Sequence, residues 1–219
     1  MFQKYRNAGI FTPPSLQGTL VIPSSIGMHW GGAAWDPVNR LIIAPVNRGV
    51  QVIRLIPRSE FSYERRLHPN AEITEQEGAP FAMSREDFSA PSHIPCTRPP
   101  WGELVAVSPD RGTIEWRVPL GELTYMGMTA QGLPNLGGPA TTDTGVVFIG
   151  ASIDPHLRAF DAATGKLLWT GDLPTAARAT PLVFTSRSGR QMVVIAAGGF
   201  DNPLSKLDTK LVAFALENE

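Results

Sequence analysis

Short apolar runs separated by turn-forming residues recur along the whole chain, and apolar residues at helical spacing are hard to find in any window of a dozen positions. The 21 glycines and 20 prolines are spread among these runs, as expected where strands are joined by tight turns. The pattern therefore predicts an all-β protein, either a sandwich, a barrel or a propeller. The predicted strands are 19–22, 41–44, 50–56, 104–107, 114–118, 146–149, 157–160, 167–169, 182–184, 192–196 and 211–214.

An internal repeat favours the propeller. Residues 104–116 align without gaps on residues 157–169, which makes Trp116 and Trp169 equivalent at a spacing of 53 positions, and residues 210–216 form a truncated third copy. Self-similarity at such a spacing is typical of stacked four-stranded blades. Each copy is predicted to be a strand, a polar turn and a second strand whose tryptophan packs between neighbouring blades.

The turn inside each copy has a recognisable chemistry. Asp110 and Asp161 are predicted to cap their turns through hydrogen bonds from the side chain to the backbone. Gly112 and Gly165 are predicted to take the positive φ that such a turn requires.

Composition narrows the range of partners. Lysine and arginine (19) nearly balance aspartate and glutamate (20), which gives no indication of a nucleic-acid partner. The single cysteine excludes an intramolecular disulfide. The first fifteen residues lack the apolar stretch of a secretory signal, so we expect either a cytoplasmic protein or a true beginning upstream of Met1.

The motif Ala-x-Asp-x-x-Thr-Gly-Lys-x-x-Trp at 159–169 resembles the tryptophan-docking repeat of dehydrogenases that depend on pyrroloquinoline quinone (PQQ). Several segments outside the repeat are similar to the last third of the membrane-bound glucose dehydrogenase branch of these quinoproteins. Together they extend over nearly the whole chain. They are 9–15, 30–32 with 36–37, 94–96 with 100–102, 136–139, and 198–199 with 206 and 212–216.

This resemblance implies an eight-bladed propeller with PQQ near its axis, of which the chain supplies about four blades. We expect residues 1–219 to be a single partial propeller domain with a long, strand-poor loop insert at about 57–99. Because an incomplete ring exposes blade faces, the chain is expected to need the missing amino-terminal half or to self-associate. The family also implies a quinone electron acceptor and a periplasmic location, with any membrane anchor in a segment outside this chain.

The resemblance places two cofactor-binding residues in this chain, Asn47 and Trp101. The family uses Ca²⁺ or Mg²⁺ together with an aspartate base, and these groups come from blades upstream, so no catalytic residue and no metal ligand is expected here. The four histidines, which have no metal-ligand spacing, agree with this expectation. They are His29, His68, His93 and His156.

One departure from the family concerns the substrate. In the glucose-oxidising branch a histidine typically follows the Gly-Gly pair near the end, whereas Phe200 follows Gly199 here. Phe200 to Lys206 is therefore predicted to be a substrate-access loop that selects a less polar alcohol or a different sugar. Two other functions remain open, a non-enzymatic propeller scaffold that binds proteins and a freestanding domain with its own ligand site.

Overall fold

β-Strands dominate the computed structural model, which describes residues 2–9, 11–21, 27–90, 94–125, 127–200 and 205–216. All eleven predicted strands are present. The strands are β1 (Thr19–Val21), β2 (Gly27–Met28), β3 (Ala34–Asp36), β4 (Leu41–Asn47), β5 (Gln51–Pro57), β6 (Glu72–Thr74), β7 (Phe81–Asp87), β8 (Gly102–Ser108), β9 (Thr113–Pro119), β10 (Glu122–Tyr125), β11 (Met128–Gln131), β12 (Ala140–Thr141), β13 (Val146–Ile149), β14 (His156–Asp161), β15 (Leu167–Asp172), β16 (Leu182–Thr185), β17 (Gln191–Ala197) and β18 (Lys210–Ala215). The described helices are the 3₁₀ turns Phe2–Lys4 and Arg58–Glu60 and the helix α1 (Phe61–Leu67).

The chain divides into two compact units. Unit 1 comprises Met1–Ser25 and Arg48–Arg98, and unit 2 comprises Ile26–Asn47 and Pro99–Glu219. Strands β4 and β8 of unit 2 pair directly, with Asn47 opposite Gly102. The second segment of unit 1 is therefore an insertion between two adjacent strands of one sheet.

Unit 1 contains a four-stranded antiparallel sheet in the order β1-β5-β7-β6. Within the predicted loop insert at about 57–99 the structure contains α1, β6 and β7. Strand β7 has a polar second half and lacks the apolar run that sequence patterns detect. It is held by main-chain pairing along the whole of β5 and by the Arg85–Glu72 ion pair to β6. That residues 1–219 form one domain stays a prediction.

Besides the two-stranded sheet β10-β11, unit 2 contains three larger successive sheets with one strand order. They are β3-β4-β8-β9, with β2 also paired to β4, then β12-β13-β14-β15, and β16-β17-β18. In the first two sheets the repeat tryptophan lies opposite an alanine, Trp116 opposite Ala106 and Trp169 opposite Ala159, and a register shift follows that alanine in both. The sequence repeat is thus a structural repeat at the level of single residue pairs.

Buried apolar side chains fill the space between neighbouring sheets of unit 2. One cluster joins β4 and β8 to β13 and β14, with Ile43, Leu104 and Ile149 fully buried at its centre. A second cluster joins β14 to β17 through Leu157 and Ile195. Each sheet therefore buries one face against the next, as blades of a propeller do.

The two repeat tryptophans have different surroundings. The indole N–H of Trp116 donates to the carbonyl oxygen of Ala162 at 2.9 Å, and a Cβ on Gly165 would lie 2.6 Å from the Trp116 ring. Trp116 therefore docks onto the β14–β15 turn of the next sheet. Trp169 is 38% exposed and packs edge-to-face on Phe214 of β18, with 5.0 Å between ring centroids. In the sequence repeat, residues 216–219 are equivalent to 162–165, and 217–219 lie outside the described residues.

The turn prediction was confirmed in three of its four residues. Gly112 and Gly165 have φ values of 66° and 71°, and Asp161 accepts a hydrogen bond from the backbone N–H of Thr164 at 2.8 Å. The cap assigned to Asp110 was wrong, since its carboxylate pairs with the guanidinium of Arg40 at 2.7 Å. Ser108 occupies the position equivalent to Asp161 and accepts from the backbone N–H of Arg111.

Candidate functional site

The segments that lead into the first strands of the three sheets meet through glycine backbones. A Cβ on Gly31, before β3, would lie 2.1 Å from the carbonyl carbon of Gly137, before β12. A Cβ on Gly137 would lie 2.4 Å from the carbonyl oxygen of Arg178, before β16. We call Gly31, Gly137 and Gly138 the glycine junction. Only residues without a Cβ allow this approach, so the junction fixes where the three sheets begin relative to one another.

Replacing Gly138 by alanine is expected to lower the free energy of unfolding by about 1–3 kcal/mol. The new Cβ would lie 2.0 Å from the carbonyl oxygen of Gly31, so the backbone of one segment must move. Urea denaturation, monitored by tryptophan fluorescence, measures this loss of stability. Gly198→Ala is the matched control, because its Cβ would lie 3.8 Å from its nearest neighbour, and an equal loss in both variants would contradict the steric explanation.

A cleft of about 420 Å³ opens beside the junction. This volume is within the range of about 300–1,000 Å³ that is usual for small-molecule sites. Trp30, the residue before the junction, is 68% exposed and offers an aromatic plane. The cleft is lined by Trp30, Arg178, Ala179, Ala196, Gly198 and Gly199.

Phe200 does not line this cleft, but it follows Gly199 and packs against Arg178, which both do. The Phe200 side chain is 5% exposed, and its backbone N–H donates to Oγ of Ser205 at 3.2 Å. Thr175 Oγ1 lies 3.1 Å from the same oxygen and donates to the carbonyl oxygen of Lys206 at 2.6 Å. Phe200 and Lys206 are thus joined through one hydrogen-bonded network. The rest of the predicted access loop, 201–204, lies outside the described residues.

Arg178 covers the face of the buried phenylalanine. The guanidinium carbon of Arg178 lies 4.2 Å from the centroid of the Phe200 ring, within the range of a cation–π contact. Sequence analysis did not identify Arg178, and Trp30 was noted only within the segment 30–32 that resembles the family. Both residues lie in segments that precede predicted strands. Only the three-dimensional arrangement of those strands shows that the two side chains line one cleft.

Asn47, the last residue of β4, lies opposite Gly102 and so next to Trp101, the residue before β8. The Asn47 amide donates to the carbonyl oxygen of Asn135 and accepts from its backbone N–H, both at 2.8 Å. Trp101 is 9% exposed, and its backbone N–H donates to the carbonyl oxygen of Gly132 at 2.7 Å. Both residues fix the loop that follows β11. The Asn47 amide retains a second N–H that is bonded to no described residue.

A buried ion pair, Asp154 with Arg158, lies between the loop before β14 and the β10–β11 hairpin. The Arg158 guanidinium makes two hydrogen bonds to the Asp154 carboxylate, which also accepts from the backbone N–H of Glu122 at 3.0 Å. Burial raises the pKa of Asp154, but the hydrogen bonds and charge of Arg158 outweigh it, so the pKa lies below its usual value. Sequence reasoning missed this pair.

The part of the chain that the structure describes contains neither a metal-binding cluster nor a membrane-spanning helix. No group of three or more His, Cys, Asp or Glu side chains there is arranged to hold a metal ion. None of the helices described is both long enough and apolar enough to cross a bilayer.

Sequence comparison identifies the family to which these sheets belong. A model of the β-propeller domain of PQQ glucose/ethanol/alcohol dehydrogenases matches residues 1–193, most of the chain. The chain belongs to this quinoprotein family. Its predicted resemblance to PQQ-dependent glucose dehydrogenases is thereby confirmed.

Individual quinoproteins match over the same region. Quinoprotein glucose dehydrogenase of Escherichia coli K12 is 35% identical over 100% of this chain and 29% of its own length. The probable quinate dehydrogenase (quinone) of Xanthomonas campestris pv. juglandis is 35% identical over 90% of this chain and 27% of its own length. The chain spans less than a third of the length of these relatives.

Solved structures of quinoproteins share the fold. A europium-containing methanol dehydrogenase superposes with a TM-score of 0.58 at 22% identity, over 83% of this chain and 26% of its own. The quinohemoprotein alcohol dehydrogenase ADHIIG of Pseudomonas putida HK5 gives 0.56 at 19% identity, over 89% and 25% of the two chains. The prediction of an all-β partial propeller is confirmed.

PQQ, the cofactor of the quinoprotein family, is a flat orthoquinone with three carboxylates, and it needs an aromatic plane and cationic or amide donors. The cleft supplies an exposed indole in Trp30 and a cation in Arg178, so its donor set fits the group. Asn47 has an N–H suited to a quinone oxygen. That Asn47 and Trp101 contact the cofactor stays a prediction.

Proposed function

We propose that this chain is the carboxy-terminal part of a PQQ-dependent dehydrogenase that oxidises the CH–OH group of a sugar or alcohol. Electrons pass to a quinone, and the chain alone is inactive. The observation that carries the proposal is the family match over residues 1–193 in a chain that covers only 29% of its Escherichia coli relative.

In this proposal the chain binds and orients the cofactor. PQQ supplies the two-electron oxidation when it is bound. The Trp30 indole provides a stacking surface, and the Arg178 guanidinium provides a donor for a carboxylate. Asn47 directs its remaining N–H at a quinone oxygen while its other amide groups stay bonded to Asn135. The Ca²⁺ or Mg²⁺ ion and the aspartate that removes the alcohol proton belong to an upstream region.

The proposed partners follow from the same assignment. The upstream region, or a second copy of the chain, covers the exposed face of the third sheet, where Leu182 is 62% and Leu211 74% exposed. A quinone is the proposed electron acceptor, a choice supported by the word quinone in the names of two relatives. The proposed location is the periplasm.

Complementation tests the proposed function. The chain is combined with the upstream region of its gene, or of the Escherichia coli relative, and reduction of an artificial dye is measured with PQQ and Ca²⁺ on glucose, quinate, glycerol and ethanol. We expect no reduction by the chain alone and reduction by the combination with at least one substrate. Reduction of the dye by the chain alone contradicts the proposal that the catalytic residues belong to the upstream region. A combination that binds no PQQ and reduces no dye contradicts the dehydrogenase assignment and favours the scaffold.

A further inference from the structure

We infer that Arg178 is an anion-recognition residue, and that the cleft beside the glycine junction binds the carboxylate of a ring-shaped molecule. The inference rests on the proposed function for the identity of the two ligands considered below. Its physical basis lies in the position, charge and neighbours of one side chain.

The guanidinium of Arg178 is held in place without being neutralised by a described carboxylate. It lies 4.2 Å from the Phe200 ring centroid, and the ion pairs among the described residues do not include it. Phe200 is itself fixed by its bond to Ser205 and by burial. A stacked guanidinium loses little rotamer freedom when it binds a carboxylate, because the planar fork is already oriented.

The surroundings of Arg178 favour a compact ring over an extended chain. Gly198 and Gly199 line the cleft without side chains, and Trp30 offers an exposed indole as a second wall. A flat or cyclic ligand can therefore contact the indole while its carboxylate makes two parallel hydrogen bonds to the guanidinium.

A carboxylate gains more than a neutral hydroxyl beside Arg178. The guanidinium can donate two charge-assisted hydrogen bonds to a carboxylate, whereas Phe200, which Arg178 covers and which is 5% exposed, offers a polyol no hydrogen bond.

Two molecules in the proposed reaction carry such a carboxylate. One is the cofactor, which has three, and the other is a cyclic hydroxy acid as substrate, of which quinate is the probe. Glucose is the matched neutral ring. Either molecule would place a carboxylate against Arg178, and separate titrations of PQQ and quinate distinguish the two.

The test is equilibrium binding to the 219-residue chain combined with its upstream region, as in the complementation assay, measured by tryptophan fluorescence and calorimetry. PQQ, quinate and glucose are titrated into the wild type, Arg178→Gln, Arg178→Lys and Arg187→Gln. Arg187 is an exposed arginine in the β16–β17 turn and serves as the control for lost surface charge. We expect Arg178→Gln to weaken binding of PQQ, of quinate or of both by about 10- to 100-fold. Arg178→Lys should recover part of the loss, and Arg187→Gln should match the wild type.

The outcomes separate the sources and the proposals. A loss confined to PQQ assigns Arg178 to the cofactor, and a loss confined to quinate assigns it to the substrate. Equal affinities in Arg178→Gln and Arg187→Gln, or no saturable binding of either carboxylate ligand by the wild type, overturn the inference. The complementation assay stands apart from these titrations, so a dehydrogenase that reduces dye can coexist with a failed anion site.

Discussion

Replacing Arg158 by methionine is expected to lower the free energy of unfolding by about 3–5 kcal/mol. Arg158 and Asp154 are 7% and 4% exposed, and methionine fills much of the arginine volume while leaving the carboxylate buried without its cation. Charge burial without a partner is among the largest single-residue penalties in a folded protein. Urea denaturation at neutral pH measures the difference.

A second ion pair of the same spacing provides the control. Arg111 and Glu115 also lie four residues apart, but the Arg111 side chain is 62% exposed. Arg111→Met is therefore expected to cost less than about 1 kcal/mol. Equal costs for the two variants would show that burial of Asp154 does not determine the penalty.

The loss of stability caused by Arg158→Met should also be smaller at acidic pH. In the wild type the pKa of Asp154 is lowered by its partner, so the stabilisation is present above the unfolded pKa and is lost as pH falls through the folded pKa. In Arg158→Met the neutral carboxyl is the better tolerated form. The gap between the two proteins is expected to narrow as pH falls, and a gap that widens would contradict the assignment.

Trp116→Ala is expected to cost about 3 kcal/mol, and Trp169→Ala about 1 kcal/mol. Trp116 packs against a buried cluster shared by two sheets and donates to Ala162, whereas Trp169 is 38% exposed. Urea denaturation of the two variants, with circular dichroism as the signal, gives the comparison. Trp116→Phe isolates the indole hydrogen bond, worth about 1 kcal/mol.

The two tryptophans occupy equivalent positions, so their difference tests docking and not residue type. If docking on a neighbouring sheet determines the loss of unfolding free energy, the loss for Trp116→Ala must exceed the loss for Trp169→Ala. Losses of the same size would mean that the turn at 162–165 contributes little. A rise in the Trp169 loss when the upstream region is added would indicate that a further blade docks there.

Local pattern predicted most of the fold because propeller strands are short, apolar and repeated. The eleven strands recognised from sequence include those with the longest apolar runs, such as β4 and β17. The missed strands carry a weaker signal. Strands β3 and β12 have only two or three residues, and β7 ends in Ser-Arg-Glu-Asp, whose polar side chains are placed by pairing with β5.

The site was less accessible from sequence because its contacts join distant segments. Gly31 and Gly137 are 106 positions apart, and no local pattern indicates that their backbones meet. The same holds for the bond from Asn47 to Asn135. Family resemblance located Asn47, Trp101 and Phe200, but it did not indicate that Phe200 is buried beneath Arg178.

These contacts suggest how a part of a quinoprotein contributes to a site that it does not complete. The glycine junction positions the beginnings of three sheets, and the cleft beside it presents an indole and a guanidinium. In the proposed function the reacting groups belong to the upstream region, and this chain binds and orients the cofactor.

The decisive test of this assignment is the position of PQQ in a structure of the complete, cofactor-loaded protein. We predict density for the tricyclic quinone beside the glycine junction, within contact distance of Trp30 or Arg178. Density for PQQ at a place that none of the three segments entering β3, β12 and β16 borders would contradict it.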